Sequence, residues 1–548
     1  MTVPSDIDDD EEDAPLLSEL RPAHIRSPSS STLPFYQTRS RRIITLIIFA
    51  IIFIMAFGGC LMAVPSIRLY EDIICHHFYN GLEGEEHIGF EEGIEEGLCK
   101  RDEVQEQMNI LFAGLQFLGA LPSLITAVPY GLLADRIGRR PVLVLSMIGI
   151  FLANLWSLAV MWFWRHIPVR MLWLTPVFLL IGGGETVGSM LFYAIGSDVT
   201  PQAKRANVFL IGGGMPLFAE IVAPSLAAVL MARSPWIPLI MGLSGFLVGP
   251  CLLIFVPETL HLRPRQTESA TLTPDTASER SVSTSDETDQ QSFFTTITKQ
   301  ASNSLKEAYG SLSVLHSLPI LLLLIPFLMQ PLIAQSVALS IRYVSNRFHW
   351  KLRQASFLLS LRAFINFALL LALLPGLSWY LIKRLHFSPT EKDLFLVRFS
   401  VIVLVLGALL IGISPTIVGT IIGMIIFTLG TGTSALTRSL ITSLVDQEHV
   451  GRLYAAIGLV ETCGSLAAGP MLAGLYTLGL QLQGPWVGLP FLAVAVICSV
   501  GGVGIWGFGC LNRKFPRERV PSREEEEEDE TTLLVLPDLV EGGVISVV

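Results

Sequence analysis

Charge is what this sequence is short of. Only 15% of its 548 residues are Asp, Glu, Lys or Arg, against 51% hydrophobic, whereas soluble domains carry about 25% charged residues. That excludes an ordinary soluble globular protein. A Gly-x-Ser-x-Gly elbow, a His-Glu-x-x-His zinc pair and a phosphate loop ending in Gly-Lys-Ser/Thr are also missing. Their absence argues against an enzyme and against ATP-driven transport, and leaves no expected metal or cofactor. Positive charge is not in excess: 47 acidic residues outnumber 37 Lys and Arg, for a net charge of −10, which argues against a nucleic-acid partner. The acidic residues concentrate in Asp6 to Asp13, Glu71 to Glu106 and Glu524 to Glu530, read as solvated stretches. Cysteine is sparse. Of seven, Cys60, Cys251, Cys463, Cys498 and Cys510 lie in or beside apolar runs, where cysteine is small apolar filler.

What the sequence does have is apolar runs. They start near Ile43, Ile110, Pro141, Met171, Val208, Ile237, Leu318, Phe357, Leu394, Ile417, Ala455 and Val487. A bilayer core of about 30 Å takes roughly 20 apolar residues as a helix, and a helix satisfies its own backbone polar groups in lipid. The expected fold class is therefore an all-α membrane protein with twelve transmembrane helices. The first run follows about forty polar and acidic residues and lacks a small-residue cleavage site, so a signal anchor is expected in place of a cleaved signal peptide. Basic clusters resist translocation. Those at Arg39, Arg41 and Arg42, at Arg136, Arg139 and Arg140, at Lys204 and Arg205, at Lys383 and Arg384, and from Arg513 to Arg519 place both termini in the cytoplasm. One basic segment, Arg342 to Arg353, falls outside in this scheme. Cys75 and Cys99 fall in the first non-cytoplasmic loop, usually an oxidising side, and are the candidates for a disulfide.

The stretch from about His261 to Ser311 is rich in Ser and Thr, has no apolar run and divides the spans six and six. It reads as a flexible linker. The expected organisation is a cytoplasmic acidic tail over 1–42, a six-helix half over 43–260, a cytoplasmic linker over 261–311, a second six-helix half over 312–510 and a cytoplasmic acidic tail over 511–548. Two halves about a central linker suit a carrier whose halves rock around a midplane site.

The most informative stretch is Gly131-Leu-Leu-Ala-Asp135-Arg136-Ile-Gly138-Arg139-Arg140-Pro-Val-Leu143, between spans 2 and 3. It resembles the major facilitator superfamily motif, in which a Gly, an Asp, a second Gly and a basic pair recur in this order at this loop. On that reading Gly131 permits close packing at the end of span 2, Gly138 lets a short loop turn, the basic cluster prefers cytoplasmic headgroups, and Asp135 sits at a neighbouring helix N-terminus and latches the two halves. Pro257-Glu258-Thr259 at the end of span 6 and Ser197-Asp198-Val199 at the end of span 4 add to the resemblance. In span 5, Ala219, Ala223, Pro224, Ala227 and Ala228 stand where antiporter-type members carry glycines around a Gly-Pro pair, and Phe178 or Leu179 stands where drug-efflux members place an arginine. The proton step of that arginine does not carry over. Thr437-Arg438-Ser439, Ser443-Leu444-Val445 and Gly451 to Ala467 resemble spans 10 and 11 of the proton-coupled folate transporter group, which implies substrate or proton handling by Arg438. The disulfide-competent first loop fits that group too. The long acidic tails, the Ser/Thr linker and these motifs together resemble uncharacterised fungal members, assumed to export metabolites or toxic compounds.

Buried charge gives site candidates independently of family, because a carboxylate near the bilayer centre costs about 2.5–3.5 kcal/mol on insertion scales. Glu185 lies about halfway through span 4 and Glu220 about halfway through span 5, each after an Ile-Gly-Gly-Gly run. Arg362 in span 8 and Glu461 in span 11 are further candidates, with Arg362 suited to an anionic substrate, while the depth of Arg438 suits snorkelling. Glu12 stands four residues before Leu16-Leu17 and Asp529 four before Leu533-Leu534, the pattern of acidic dileucine signals read by sorting adaptors for vacuoles or lysosomes. The expectation is a monomeric, proton-coupled secondary transporter of a small organic solute, in the plasma or vacuolar membrane, working by alternating access and exporting a metabolite or toxic compound. Uptake or vacuolar import of an organic anion, and a non-transporting sensor of the same fold, are the alternatives.

Overall fold

The computed structural model describes residues 40–80, 96–200, 202–259, 318–442, 444–445 and 450–514, and among these twelve helical spans are long and apolar enough to cross a membrane. They are α1 Arg41–Asn80, α2 Asp102–Ile137, α3 Arg139–Trp162, α4 Thr175–Leu179 continued by Gly184–Val199, α5 Gln202–Leu230, α6 Trp236–Leu252, α7 Leu318–Arg347, α8 Leu352–Ala368 continued past a π-turn by Leu374–Leu385, α9 Pro389–Ile413, α10 Ile417–Gly430 continued by Thr433–Thr442, α11 Val450–Leu482 and α12 Leu489–Lys514. All twelve runs expected from the sequence are helical. Leu16, Leu17, Leu533, Leu534 and the 261–311 linker lie outside the described residues.

Large apolar side chains such as Leu46, Trp162, Ile240 and Val503 stand on the outside of the bundle, as lipid contact requires. Lipid gives helices no hydrophobic reason to associate, so close backbone approach matters more. α1 and α6 use it: a Cβ added to Gly58 would stand 2.9 Å from the carbonyl oxygen of Gly242. Helices α1–α6 form one half and α7–α12 the other. They meet along two seams, α2 against α11 and α5 against α8. In each half the start of the third helix is tied to the end of the fourth, by Arg139–Asp198 at 2.6 Å and by Ser439 donating to Asp393 at 2.8 Å. α1 begins and α12 ends at one face, called here the terminal face; the opposite face carries a disulfide between Cys75 and Cys99.

Two expectations are corrected at the disulfide face. Glu71 does not belong to a solvated acidic stretch: α1 continues through it to Asn80, and Glu71 is 2% exposed. Its carboxylate accepts from Lys100 at 2.6 Å and Gln105 at 2.9 Å, partners that make burial tolerable. The basic segment that broke the charge rule is the end of α7, a four-residue turn over 348–351 and the start of α8. Arg342 is buried in α7, donating to Asn109 at 3.0 Å with its guanidinium 4.2 Å from the centroid of Phe112. Arg347 ends the same helix and donates to the Tyr343 hydroxyl and the Gly412 carbonyl. Two of the charges counted as outside are thus used within the protein.

Candidate functional site

Glu220 of α5 and Arg362 of α8 face each other across the seam between the halves and form an ion pair. The sequence presented Glu220 as a carboxylate with no partner in view, and Arg362 as a separate candidate. They are one site. Leaving either charge alone at this depth would be strongly destabilising, and pairing removes most of that cost. The alanines of span 5 explain the aim of Glu220: Ala219, Ala223 and Ala227 are fully buried, and the last two pack with Leu61 of α1. The polar side of α5 is left to α8, where the Ser225 N–H donates to Ser360 at 3.0 Å and Ser356 donates to the Pro224 carbonyl at 2.8 Å.

Beside this pair a cavity of about 490 Å³ is lined by Gln330, Arg362, Asn366, Thr431, Ser434 and Arg438, with Ile333 and Val337 among its apolar walls. A volume in this range holds a drug-sized molecule, and a mostly apolar wall with a few placed polar groups is the usual form of a ligand site. Arg438 is not snorkelling. It pairs with Glu461 of α11 at 2.5 Å, and its guanidinium lies 5.6 Å from the centroid of Phe327. Partners inside the protein, not headgroups, decide its direction.

Glu185 is placed by a broken helix. After Ile181 the chain takes positive φ at Gly182, Gly183 and Gly184, +79°, +81° and +59°, a region open to glycine and strained for other residues. A Cβ on Gly182 would also collide with the backbone of Leu145 and Ser146 in α3. Carbonyls on both sides of the break accept from neighbouring helices: Tyr130 donates to Leu180 at 3.0 Å and Ser146 to Gly184 at 2.7 Å. Glu185 follows in the first turn of the second piece, where a helix favours negative charge. No ion pair holds it among the described residues. The second Ile-Gly-Gly-Gly run, Ile211 to Gly214, stays inside the unbroken α5.

The 131–143 stretch is bolted to its own half. Gly138 turns the chain with φ +106°, and a Cβ there would strike the Glu258 carboxylate. That carboxylate accepts from the N–H groups of Arg139 at 2.9 Å and Arg140 at 3.1 Å, capping α3, while the Arg140 side chain donates to the carbonyls of Leu253 and Ile254. With Arg139–Asp198, the two short stretches around Glu258 and Asp198 prove to be partners of the loop. Their importance was hidden in sequence because each is only three residues long and distant along the chain. Gly131 lies inside α2, not at its end, and a Cβ there would meet Met190 at an ordinary 3.5 Å. Asp135 and Arg136 are exposed, and among the described residues no ion pair links them to the other half.

Among the described residues, hydrogen bonds between the halves lie at the central seam and on the side of the molecule toward the disulfide face. Gln335 donates to Gln116 at 2.6 Å, Asn109 to Thr477 at 3.2 Å, Arg342 to Asn109, and the Leu352 N–H to Glu96 at 2.6 Å. Val64, Ile341, Leu352 and Ala355 close an apolar cluster across the same gap. The halves are therefore joined from the level of Glu220 and Arg362 out to the disulfide face. Arg342, Asn109, Gln116 and Gln335 were not singled out from the sequence, and the one signal for Arg342 was its violation of the charge rule.

The geometry has counterparts among known proteins. The family model of the Major Facilitator Superfamily matches residues 103–469. Over 527 residues the chain is 29% identical to the MFS efflux pump atnC of Emericella nidulans, covering 95% of this chain and 96% of that one. It is 28% identical over 487 residues to the efflux pump ustT of Aspergillus flavus, covering 88% and 92%. In fold it is similar to a D-xylose-proton symporter, with a TM-score of 0.55 at 15% identity over 85% of this chain and 98% of that structure. Twelve spans in two joined halves, the Gly-Asp-Gly and basic-pair order of the 131–143 loop and a family match over most of the membrane region lead to one conclusion: the chain belongs to the Major Facilitator Superfamily.

Proposed function

We propose that this transporter exports a small organic compound bearing an acidic group by alternating access, together with a proton and down the compound's own gradient, with Glu220 and Arg362 as the coupling pair. The observation that carries the reading is that ion pair, which spans the two halves at the wall of the cavity. Protonating Glu220 removes the charge that holds Arg362 and frees the guanidinium for a substrate carboxylate; losing the proton restores the pair and displaces the substrate. Arg438, on the same cavity and held by Glu461, supplies a second contact, and Glu185 a second carboxylate. Asn366, Thr431 and Ser434 provide neutral hydrogen-bonding groups, while the apolar walls suit a hydrocarbon body. Export is supported by two relatives of nearly full length that carry the name efflux pump. The basic clusters near the terminal face support a cytoplasmic location for it, so the cavity is read as facing inward.

Comparing metabolites in the medium and in cells with and without the chain tests the direction: an exported compound rises outside and falls inside. With that compound in proteoliposomes, Glu220→Gln is expected to abolish transport driven by a pH gradient while counterflow at equal pH persists, since the amide mimics the protonated state permanently. Full gradient-driven transport by the Gln variant would overturn the coupling role.

A further inference from the structure

We infer that Glu96 is an outer-gate residue of the transport cycle, presented by the Cys75–Cys99 disulfide, and that its bond to the first turn of α8 sets the balance between the two open states. The first turn of any helix leaves N–H groups without internal acceptors. In α8 the preceding residue is Lys351, whose side chain has no acceptor to offer. The acceptor comes from the opposite half: Glu96 Oε1 takes the Leu352 N–H at 2.6 Å. A carboxylate at a helix N-terminus is favoured by the helix dipole as well.

Glu96 is held in place by its own half. Lys100 Nζ lies 3.5 Å from Oε1 and Arg68 Nε 3.9 Å from Oε2, and Lys100 is itself fixed by Glu71 at 2.6 Å. Glu96 and Gly97 lead straight into the short 3-10 turn Leu98–Lys100, whose Cys99 is fully buried and bonded to Cys75 of α1. The disulfide thus anchors the turn to α1, and the turn carries the carboxylate to the seam. α8 gives this contact a consequence for transport. The same helix carries Ser356 and Ser360, which bond to α5, and Arg362, which pairs with Glu220. Arg362 is ten residues beyond Leu352, about 15 Å along the axis. One rigid element therefore links Glu96 at the surface to the central ion pair. When the disulfide face opens, α8 must leave α5 and the bond to Glu96 must break, while Arg68 and Lys100 stay with Glu96 in the other half.

The inference rests on alternating access but not on proton coupling or export, and its test needs no substrate. Full-length protein in lipid nanodiscs, retaining only Cys75 and Cys99 of its native cysteines, carries a pair of distance labels at exposed His166 and Pro415, one on each half at the disulfide face. Glu96→Ala is expected to shift the population toward the wider distance by about fivefold, the weight of a single helix cap. The Cys75→Ser/Cys99→Ser variant is expected to shift it the same way, and the triple variant no further than the larger of the two, because both changes act through one contact. An unchanged distance distribution in Glu96→Ala overturns the gate role. Additive shifts overturn the link to the disulfide. Should the cysteine variant fail to fold, Glu96→Ala alone decides the gate role, and non-reducing against reducing gels on the parent protein decide whether the two cysteines pair in the membrane.

Discussion

Gly131 and Gly138 stand seven residues apart in one motif, and the sequence offers the same justification for both, room for a tight fold. Their surroundings separate them. Gly138 has positive φ and lies against the Glu258 carboxylate, whereas Gly131 sits in regular helix with ordinary space around it. Gly138→Ala is expected to destabilise the protein by about 1–3 kcal/mol through backbone strain, and further by displacing the cap on α3. Gly131→Ala is expected to leave stability unchanged or slightly raised, since alanine is the better helix former. Thermal unfolding of the two variants in detergent checks the contrast, and equal losses would contradict it. The motif was legible in sequence as a pattern of residue types. Which of its glycines is required was not, because φ at Gly138 and the position of Glu258 depend on how α2, α3 and α6 meet.

The two Ile-Gly-Gly-Gly runs make the same point for whole elements. From sequence both allow close approach or a bend, and nothing in the four residues distinguishes them. The run in α4 breaks its helix because α3 packs into the gap with backbone contact at Gly182, while Ser146 of α3 and Tyr130 of α2 donate to carbonyls on either side of it. The run in α5 has no such filling: an added Cβ on Gly214 meets nothing within 4 Å, and on Gly213 only Tyr193 at 3.8 Å. Gly182→Ala is therefore expected to lower the yield of folded protein sharply, while Gly214→Ala keeps wild-type yield and transport, measured by size-exclusion profile and by uptake into proteoliposomes. Twelve helices could be read from hydrophobic length alone, because lipid leaves the backbone no alternative. Interruptions inside them could not, since a break is stable only where a neighbouring helix supplies the donors.

At the scale of the whole molecule, the arrangement of contacts gives a state as well as a fold. The halves are hydrogen-bonded at and beyond the central pair toward the disulfide face, and Asp135 at the terminal face is exposed. The sequence suggested that Asp135 latches the halves together; among the described residues no ion pair makes that latch in the present state, as opening toward the terminal face requires. A latch of this kind stabilises only the opposite state, so its removal should trap the protein as it stands here. The prediction has two parts. In a background retaining only Cys75 and Cys99 of the native cysteines, Ser434→Cys on the cavity wall should react with an impermeant thiol reagent supplied from the terminal face and not from the disulfide face. Adding Asp135→Asn should leave that labelling equal or faster while transport falls, because the carrier can no longer hold its inner side shut. Membrane insertion should be unaffected, since the neighbouring arginines that set orientation remain. Labelling that slows in the Asn variant would mean that Asp135 supports the present state, and unimpaired transport would mean that no latch depends on it.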